Sequence, residues 1–463
     1  MMPGGIRVES EKISVEDIFG NVHQLTKELS RGGQGVVYRT AIPDVLVKLD
    51  LQGDMSANER YMELRLLPLP QGIHITLPLA PLKDDAGYIM RLLEDMIPFA
   101  EAFGKSGVEE LDEPHTRFID ERIADGGDIA NFFVPLVANG GMRRVLLAYL
   151  QAATVLAELH VSGFVYCDFS YNNAFVSSDK DHCNVWLIDA DNIAPAKQAS
   201  SCYLYTGSVG APEVASGQRG DSFASDVFAM ASSLFQQITH AHPFEGSAFN
   251  EVLNDGEEEM DDVEQRRNAG DFPYIMANEE ENDSELNDVY RILMPANLLI
   301  LFDRTFGAGQ WAPKKRPVAS EWAAEIALGM DSIIHCAACG MDYPFSGSNE
   351  CPWCGAKQPI LVVRAHNDSI FWLFAHEIEQ NNPVSVPLRI VHGHVSDEIF
   401  EELFRVKWNE DGLRIDVVQE EILCMVDNAT RVRRVETEAV NYMIHCRDNV
   451  FGFDCTVDFE VIS

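Results

Sequence analysis

Basic side chains are scarce in this chain: 35 lysines and arginines stand against 73 aspartates and glutamates, a net charge of −38. A surface of that sign repels phosphate backbones and anionic lipid headgroups, which argues against nucleic acid or a membrane as partner. Long apolar runs are missing too. The sequence holds no run of about 18 apolar residues, and Met1 to Asp17 has no basic segment leading into an apolar one. Neither a spanning helix nor an export signal is expected, and the chain is read as cytoplasmic. A disulfide framework is also lacking, because four of the ten cysteines fall into two C-x-x-C pairs and the other six are scattered. Apolar material is plentiful: 46% of 463 residues is enough for packed cores, in about three domains by length.

The most informative stretch runs from Phe164 to Ile193. Asp168 is placed to take the proton of an acceptor hydroxyl. Asn173 follows with an amide oxygen, and after the apolar strand Val185 to Ile188, Asp189 offers a carboxylate. Two hard oxygen ligands thus converge on Mg²⁺ beside a base, as phosphoryl transfer requires. Upstream, Leu29 to Tyr38 is a glycine-rich turn entering a β-branched strand, where glycines let backbone N–H groups approach a triphosphate. Lys48 is the one cation of the next apolar strand, and Tyr61, Leu64 and Leu67 then recur at helical spacing until Pro68. Gly87 to Leu93 reads as a strand, and Arg143 to His160 as a core helix.

In this order the motifs resemble those of protein kinases. Ser30, Gly32, Gly35 and Val37 occupy the G-x-G-x-x-G-x-V positions, with Gly33 between them; Lys48 stands at the phosphate-holding lysine and Glu63 at the helix glutamate that pairs with it, Glu59 being second choice. Met90 takes the gatekeeper position, with Leu92 beyond it in the hinge. Ala211-Pro212-Glu213, Thr206, Asp226 and Arg316 match elements that hold the activation segment and catalytic loop. The resemblance implies a bilobal α+β fold, with an N-lobe over 1–94 and a C-lobe over 95–330. ATP would lie against Ser30, Gly32, Gly33, Gly35, Val37, Lys48, Met90 and Leu92; Asn173 and Asp189 would hold Mg²⁺; Asp168, Lys48 and Glu63 would form the catalytic set for transfer to serine or threonine.

The pattern also has departures. Ser170 replaces the lysine two residues after the catalytic aspartate, Cys167 the arginine before it, and Asp191 the D-F-G glycine. Asp191 either adds a third carboxylate near the metal or faces solvent. Without an arginine at 167, activity is expected to need no phosphate on the activation segment. The alternative reading is a nucleotide-binding scaffold that recruits partners through its C-terminal part and transfers nothing.

Two acidic stretches, Glu251 to Glu264 and Glu279 to Asp288, read as solvated insertions. Cys336, Cys339, Cys351 and Cys354 form two knuckles spaced for one tetrahedral zinc ion, a structural ribbon over 335–358. From 359 to 463 the pattern is period two, as in Leu413, Ile415 and Val417 or Phe453, Cys455, Val457, Phe459 and Val461, and a β-rich domain is expected. His366, His376, His392 and His394 share no spacing with acidic residues and are read as structural. The whole resembles bacterial Ser/Thr kinases with a C-terminal zinc ribbon, some of which act beside a metal-dependent protein phosphatase and a von Willebrand A-type protein.

Overall fold

The computed structural model describes residues 14–31, 35–104, 136–180, 182–256, 258–277, 281–368, 371–392, 401–419, 421–426, 430–447 and 454–463. Gly32, Gly33, Phe453 and His394 lie outside these.

Six antiparallel strands build the N-terminal sheet: β1 (Ser14–Glu16), β2 (Val22–Arg31), β3 (Gly35–Thr40), β4 (Val45–Asp50), β5 (Ala80–Pro81) and β6 (Gly87–Arg91), ordered β1-β2-β3-β4-β6-β5. Successive strand residues point to opposite faces. Val47 therefore joins a small outer core with Val15, Leu82 and Ile89, while Leu46 joins the main core and Lys48 points the same way. The helix α1 (Ala57–Arg65) covers that inner face with Tyr61 and Leu64, and the Tyr61 ring lies 4.6 Å from that of Tyr88. A Cβ on Gly35 would stand 2.8 Å from the Leu49 carbonyl oxygen, so β3 can begin this close to β4 only with glycine.

Below the sheet, α2 (Gly141–Val161), α3 (Phe223–Thr239) and α4 (Ala319–Asp331) form the helical centre. The apolar stripe of α2 is buried from Met142 to Leu159. This helix is long and apolar enough to cross a membrane, yet most of it is buried inside the protein. At the start of α3, Ser222 accepts from the Ser225 N–H and Ser225 Oγ from the Ser222 N–H, a capping box that fixes where the helix begins. Five short strands complete this part: β7 (Met96–Pro98), β8 (Phe164–Val165), β9 (Ala174–Ser177), β10 (Val185–Leu187) and β11 (Ala194–Pro195). β10, β9 and β7 pair in one sheet and β8 with β11 in another, so the loops 166–173 and 188–193 both run between the same two small sheets. That connection brings Asp168 beside Asp189.

Among the described residues the C-terminal part beyond α4 is mostly strands, with one short helix at Arg389–His392. β12 (Ile333–His335) and β13 (Asp342–Pro344) form the ribbon hairpin. They are followed by β14 (Ile360–His366), β15 (Phe371–Glu377), β16 (Val384–Pro387), β17 (Glu402–Asn409), β18 (Gly412–Val417), β19 (Leu423–Val426), β20 (Thr430–Arg431), β21 (Arg434–Thr437), β22 (Asn441–Arg447) and β23 (Asp454–Ile462). A six-stranded sheet, β15-β14-β23-β22-β19-β20, faces a four-stranded one, β16-β17-β18-β21; Phe404 and Phe459 meet between them at 5.1 Å.

These strands are docked on the helices rather than appended to them. Arg389 and the Trp372 indole N–H both bond the buried Asp331 at the end of α4, and Arg143 on α2 bonds Glu377. Asp342 of the ribbon reaches α2 itself: its Oδ2 accepts the Met142 N–H at 2.7 Å, satisfying one of the helix's orphan donors. Gly141 sits at φ 80°, and a Cβ there would lie 2.4 Å from that oxygen. Gly141→Ala is therefore expected to strain the backbone and push Asp342 off its donor, lowering stability by roughly 2–3 kcal/mol in thermal or denaturant unfolding. An unchanged midpoint would refute this account of the cap.

Candidate functional site

Asp226, buried near the start of α3, accepts the N–H groups of Tyr166 (2.7 Å) and Cys167 (2.9 Å) and contacts His160 Nε2 at 2.9 Å. The Cys167 backbone is left-handed, at φ 72°, a conformation that costs a non-glycine residue energy and needs such an anchor. The turn delivers Asp168 into the space under the sheet. There its Oδ1 accepts from Thr206 Oγ1 at 3.2 Å, while Asn173 Nδ2 bonds its carbonyl at 2.9 Å and its Oδ2 at 3.3 Å. Burial raises the Asp168 pKa, and the Thr206 and Asn173 bonds only partly offset it.

Asp189 is also left-handed, at φ 58°, and a 3₁₀ turn follows over Ala190–Asn192. Lys48 Nζ donates to Asp189 Oδ1 at 2.6 Å and to Asp191 Oδ2 at 2.9 Å, across 141 and 143 residues of sequence. Burial works against the ammonium, but the two adjacent carboxylates outweigh it and hold the Lys48 pKa above its usual value. Burial likewise raises the Asp189 pKa, the Lys48 charge compensating in part. The other Asp191 oxygen, Oδ1, is buried without a partner.

The expected pair between Lys48 and Glu63 does not form. α1 turns Tyr61 and Leu64 inward, which leaves both Glu63 and Glu59 exposed. Asp191 takes the glutamate's place, and the residue of α1 that reaches it is Arg60, whose Nε donates to the Asp191 carbonyl at 2.7 Å. Sequence reasoning missed Arg60. The only signal available was that it lies next to Tyr61 on the helix.

Between the sheet and the helical centre lies a cavity of about 820 Å³. Ser30, Val37, Met90 and Leu92 all line it, with Leu46 above and Ile188 below. Gly35 stands behind it against the Lys48 side chain. Further along the chain, Arg316 grips Glu213 through two buried bonds of 2.7 and 2.8 Å.

Asp221 was not anticipated. It is buried, accepts the Leu204 N–H at 3.0 Å, and so ties the segment after Asp189 to the start of α3. Burial pushes its pKa up to about 7. Unfolded, it would titrate near 4, so the folded state holds the extra proton between about pH 4 and 7, and stability falls as pH rises through that window. Asp221→Asn keeps an acceptor for Leu204 and should flatten that slope, gaining roughly 1–2 kcal/mol at pH 8. Parallel pH–stability curves for variant and wild type would refute it.

The second centre is the four-cysteine cluster, whose sulfurs all lie within 4.8 Å of one another. Cys336 Sγ is 3.7 Å from Cys354 Sγ and Cys339 Sγ 3.8 Å from Cys351 Sγ. Those are the edges of a tetrahedron around zinc at about 2.3 Å per bond, and are far longer than a disulfide. Gly340 and Gly355, at φ 72° and 73°, turn each knuckle and return their N–H groups to the Cys336 and Cys351 carbonyls. Among the described residues no other group of three or more such ligands gathers. His366 pairs with Asp458 at 2.8 Å, and His376 Nδ1 lies 2.7 Å from a backbone carbonyl oxygen. No protein-family model matches the chain, and no curated protein sequence matches it.

Proposed function

We propose that this chain is an ATP- and Mg²⁺-dependent protein kinase acting on serine or threonine, with a bilobal kinase-like fold. The observation that carries the reading is that Lys48 is bonded to Asp189, whose charge acts on the nearby Asp168, while Ile188, the residue before Asp189, lines the 820 Å³ cavity together with Ser30, Val37, Met90 and Leu92. An adenine would lie between Leu46 and Ile188. Asn173, Asp189 and the unpartnered Oδ1 of Asp191 supply oxygen donors of the kind Mg²⁺ takes, and the ion when bound neutralises phosphate charge.

In the reaction the acceptor hydroxyl oxygen bonds the γ-phosphorus as the bond to the β–γ bridging oxygen breaks. The hydroxyl proton passes to the Asp168 carboxylate, which Thr206 and Asn173 hold in place. Asp191, steadied by Arg60, anchors Lys48 toward the phosphates when Asp189 turns to the metal. Thr206 bonds Asp168 and Ser208 bonds Tyr171, which supports activity without added phosphate on this segment.

A scaffold that binds nucleotide without transfer is favoured by two facts: Ser170 brings no cation two residues after Asp168, and Lys48 is held by two carboxylates. Transfer of labelled phosphate from ATP to proteins of a cell extract, or to the chain itself, separates the two readings. ATP binding without any Mg²⁺-dependent transfer would leave only the scaffold. Asp191→Asn should lower kcat/KM by roughly 10- to 100-fold by freeing Lys48; full activity in that variant would remove Asp191 from the positioning role.

A further inference from the structure

A recess of about 380 Å³ lies where α2, the β9–β10 hairpin, the end of α4 and the C-terminal strands meet, and it shares no lining residue with the larger cavity. Among the described residues, four cations, Arg143, Arg144, Lys180 and Arg389, line it against one carboxylate, Asp331. In a chain with 35 basic and 73 acidic residues, that balance is inverted. Arg143 is neutralised by Glu377 at 3.0 Å, and Arg389 by Asp331 at 2.9 Å. Arg144 and Lys180 form no ion pair among the described residues.

Arg144 is only 6% exposed; among the described residues it donates to the Asn139 and Ser177 carbonyls, both at 2.9 Å, and lies 5.4 Å from the Phe103 ring, but no carboxylate bonds it and its buried Nε has no hydrogen-bond partner. A buried charge without a counter-ion is costly, and proteins keep such groups where a ligand supplies the missing charge. Lys180, exposed on the hairpin, donates to the Ala138 carbonyl at 2.6 Å. Asp179, whose charge reaches Arg144, is itself exposed and bonded to His182. The recess also has an apolar side: Leu147, Met330 and Phe374, with Phe374 stacked on His376 at 6.0 Å.

We propose that this recess binds an organic phosphate, its dianionic head against Arg144 and Lys180 and a flat apolar body against Phe374 and Leu147. Two cations with no ion pair among the described residues favour a dianion over a carboxylate, and the apolar side favours an organic ester over the inorganic ion. The inference stands on the recess alone and does not depend on phosphoryl transfer.

The test is isothermal titration calorimetry of the full chain with phenyl phosphate, inorganic phosphate and benzoate. Phenyl phosphate should saturate at one per chain, and the other two should bind at least about tenfold more weakly. Lys180→Glu, at an exposed position, should weaken phenyl phosphate by at least about tenfold while leaving ATP binding unchanged. Arg144→Lys, with folding checked by near-UV circular dichroism, should weaken it as well. Absence of saturable binding, equal binding to wild type and Lys180→Glu, or benzoate binding as tightly as phenyl phosphate would each overturn the proposal.

Discussion

Asp189→Asn is expected, on the kinase reading proposed above, to lower phosphoryl transfer by roughly 10³-fold with the fold intact, because that reading makes Asp189 a carboxylate ligand to Mg²⁺ and the variant keeps only its shape. Asp168→Asn should cost roughly 10²- to 10⁴-fold by removing the proton acceptor. The two variants should differ in one measurable respect. Asp189 sits 2.6 Å from Lys48, and neutralising it removes one of the two charges that hold that ammonium. Asp189→Asn should therefore alter the Mg²⁺ dependence, whereas Asp168→Asn should leave the apparent affinity for MgATP near that of the wild type. Near-normal turnover of Asp189→Asn would show that the metal is held elsewhere, with the free Asp191 oxygen as the remaining donor.

Zinc removal should have the other large effect. Elemental analysis is expected to find one ion per chain, since the four sulfurs already stand at tetrahedral spacing. Structural zinc contributes on the order of 10 kcal/mol to folding its module. Here the loss should spread beyond the ribbon, because Asp342 caps α2 and Arg143 donates to the Ile333 carbonyl. Stripping the ion under denaturing chelation, or Cys351→Ser, should lower the unfolding midpoint by roughly 10 °C and reduce protection of α2 in hydrogen exchange. A purified, folded chain with neither zinc nor iron would sink the assignment.

Local spacing made part of this legible in advance. The two knuckles, the strand that carries Lys48 and the pair Asp168 and Asn173 are each set by residues within a few positions of one another, where periodicity and turn chemistry act directly. Glu63 could not be settled that way. Whether it or Arg60 faces inward depends on the rotation of α1 about its axis, which is fixed by where Tyr61 and Leu64 find room beneath Tyr88. Asp191 was visible as a departure, but its pairing with Lys48 spans 143 residues. Asp221 and the recess at Arg144 were invisible for the same reason, since both arise only where distant segments meet.

The Met142–Asp342 bond joins residues 200 positions apart, and this bears on how the chain is made. During synthesis, Lys48, Asp168, Asp189, Asp226 and Arg316 all emerge before the residue that caps the helix leading into the Asp168 loop. At usual elongation rates of about 5–20 residues per second, α2 waits roughly 10–40 s for its cap. The helical centre is thus finished only once the first knuckle has been translated, and every nascent chain passes through a stage in which its site residues are all present and their support is not.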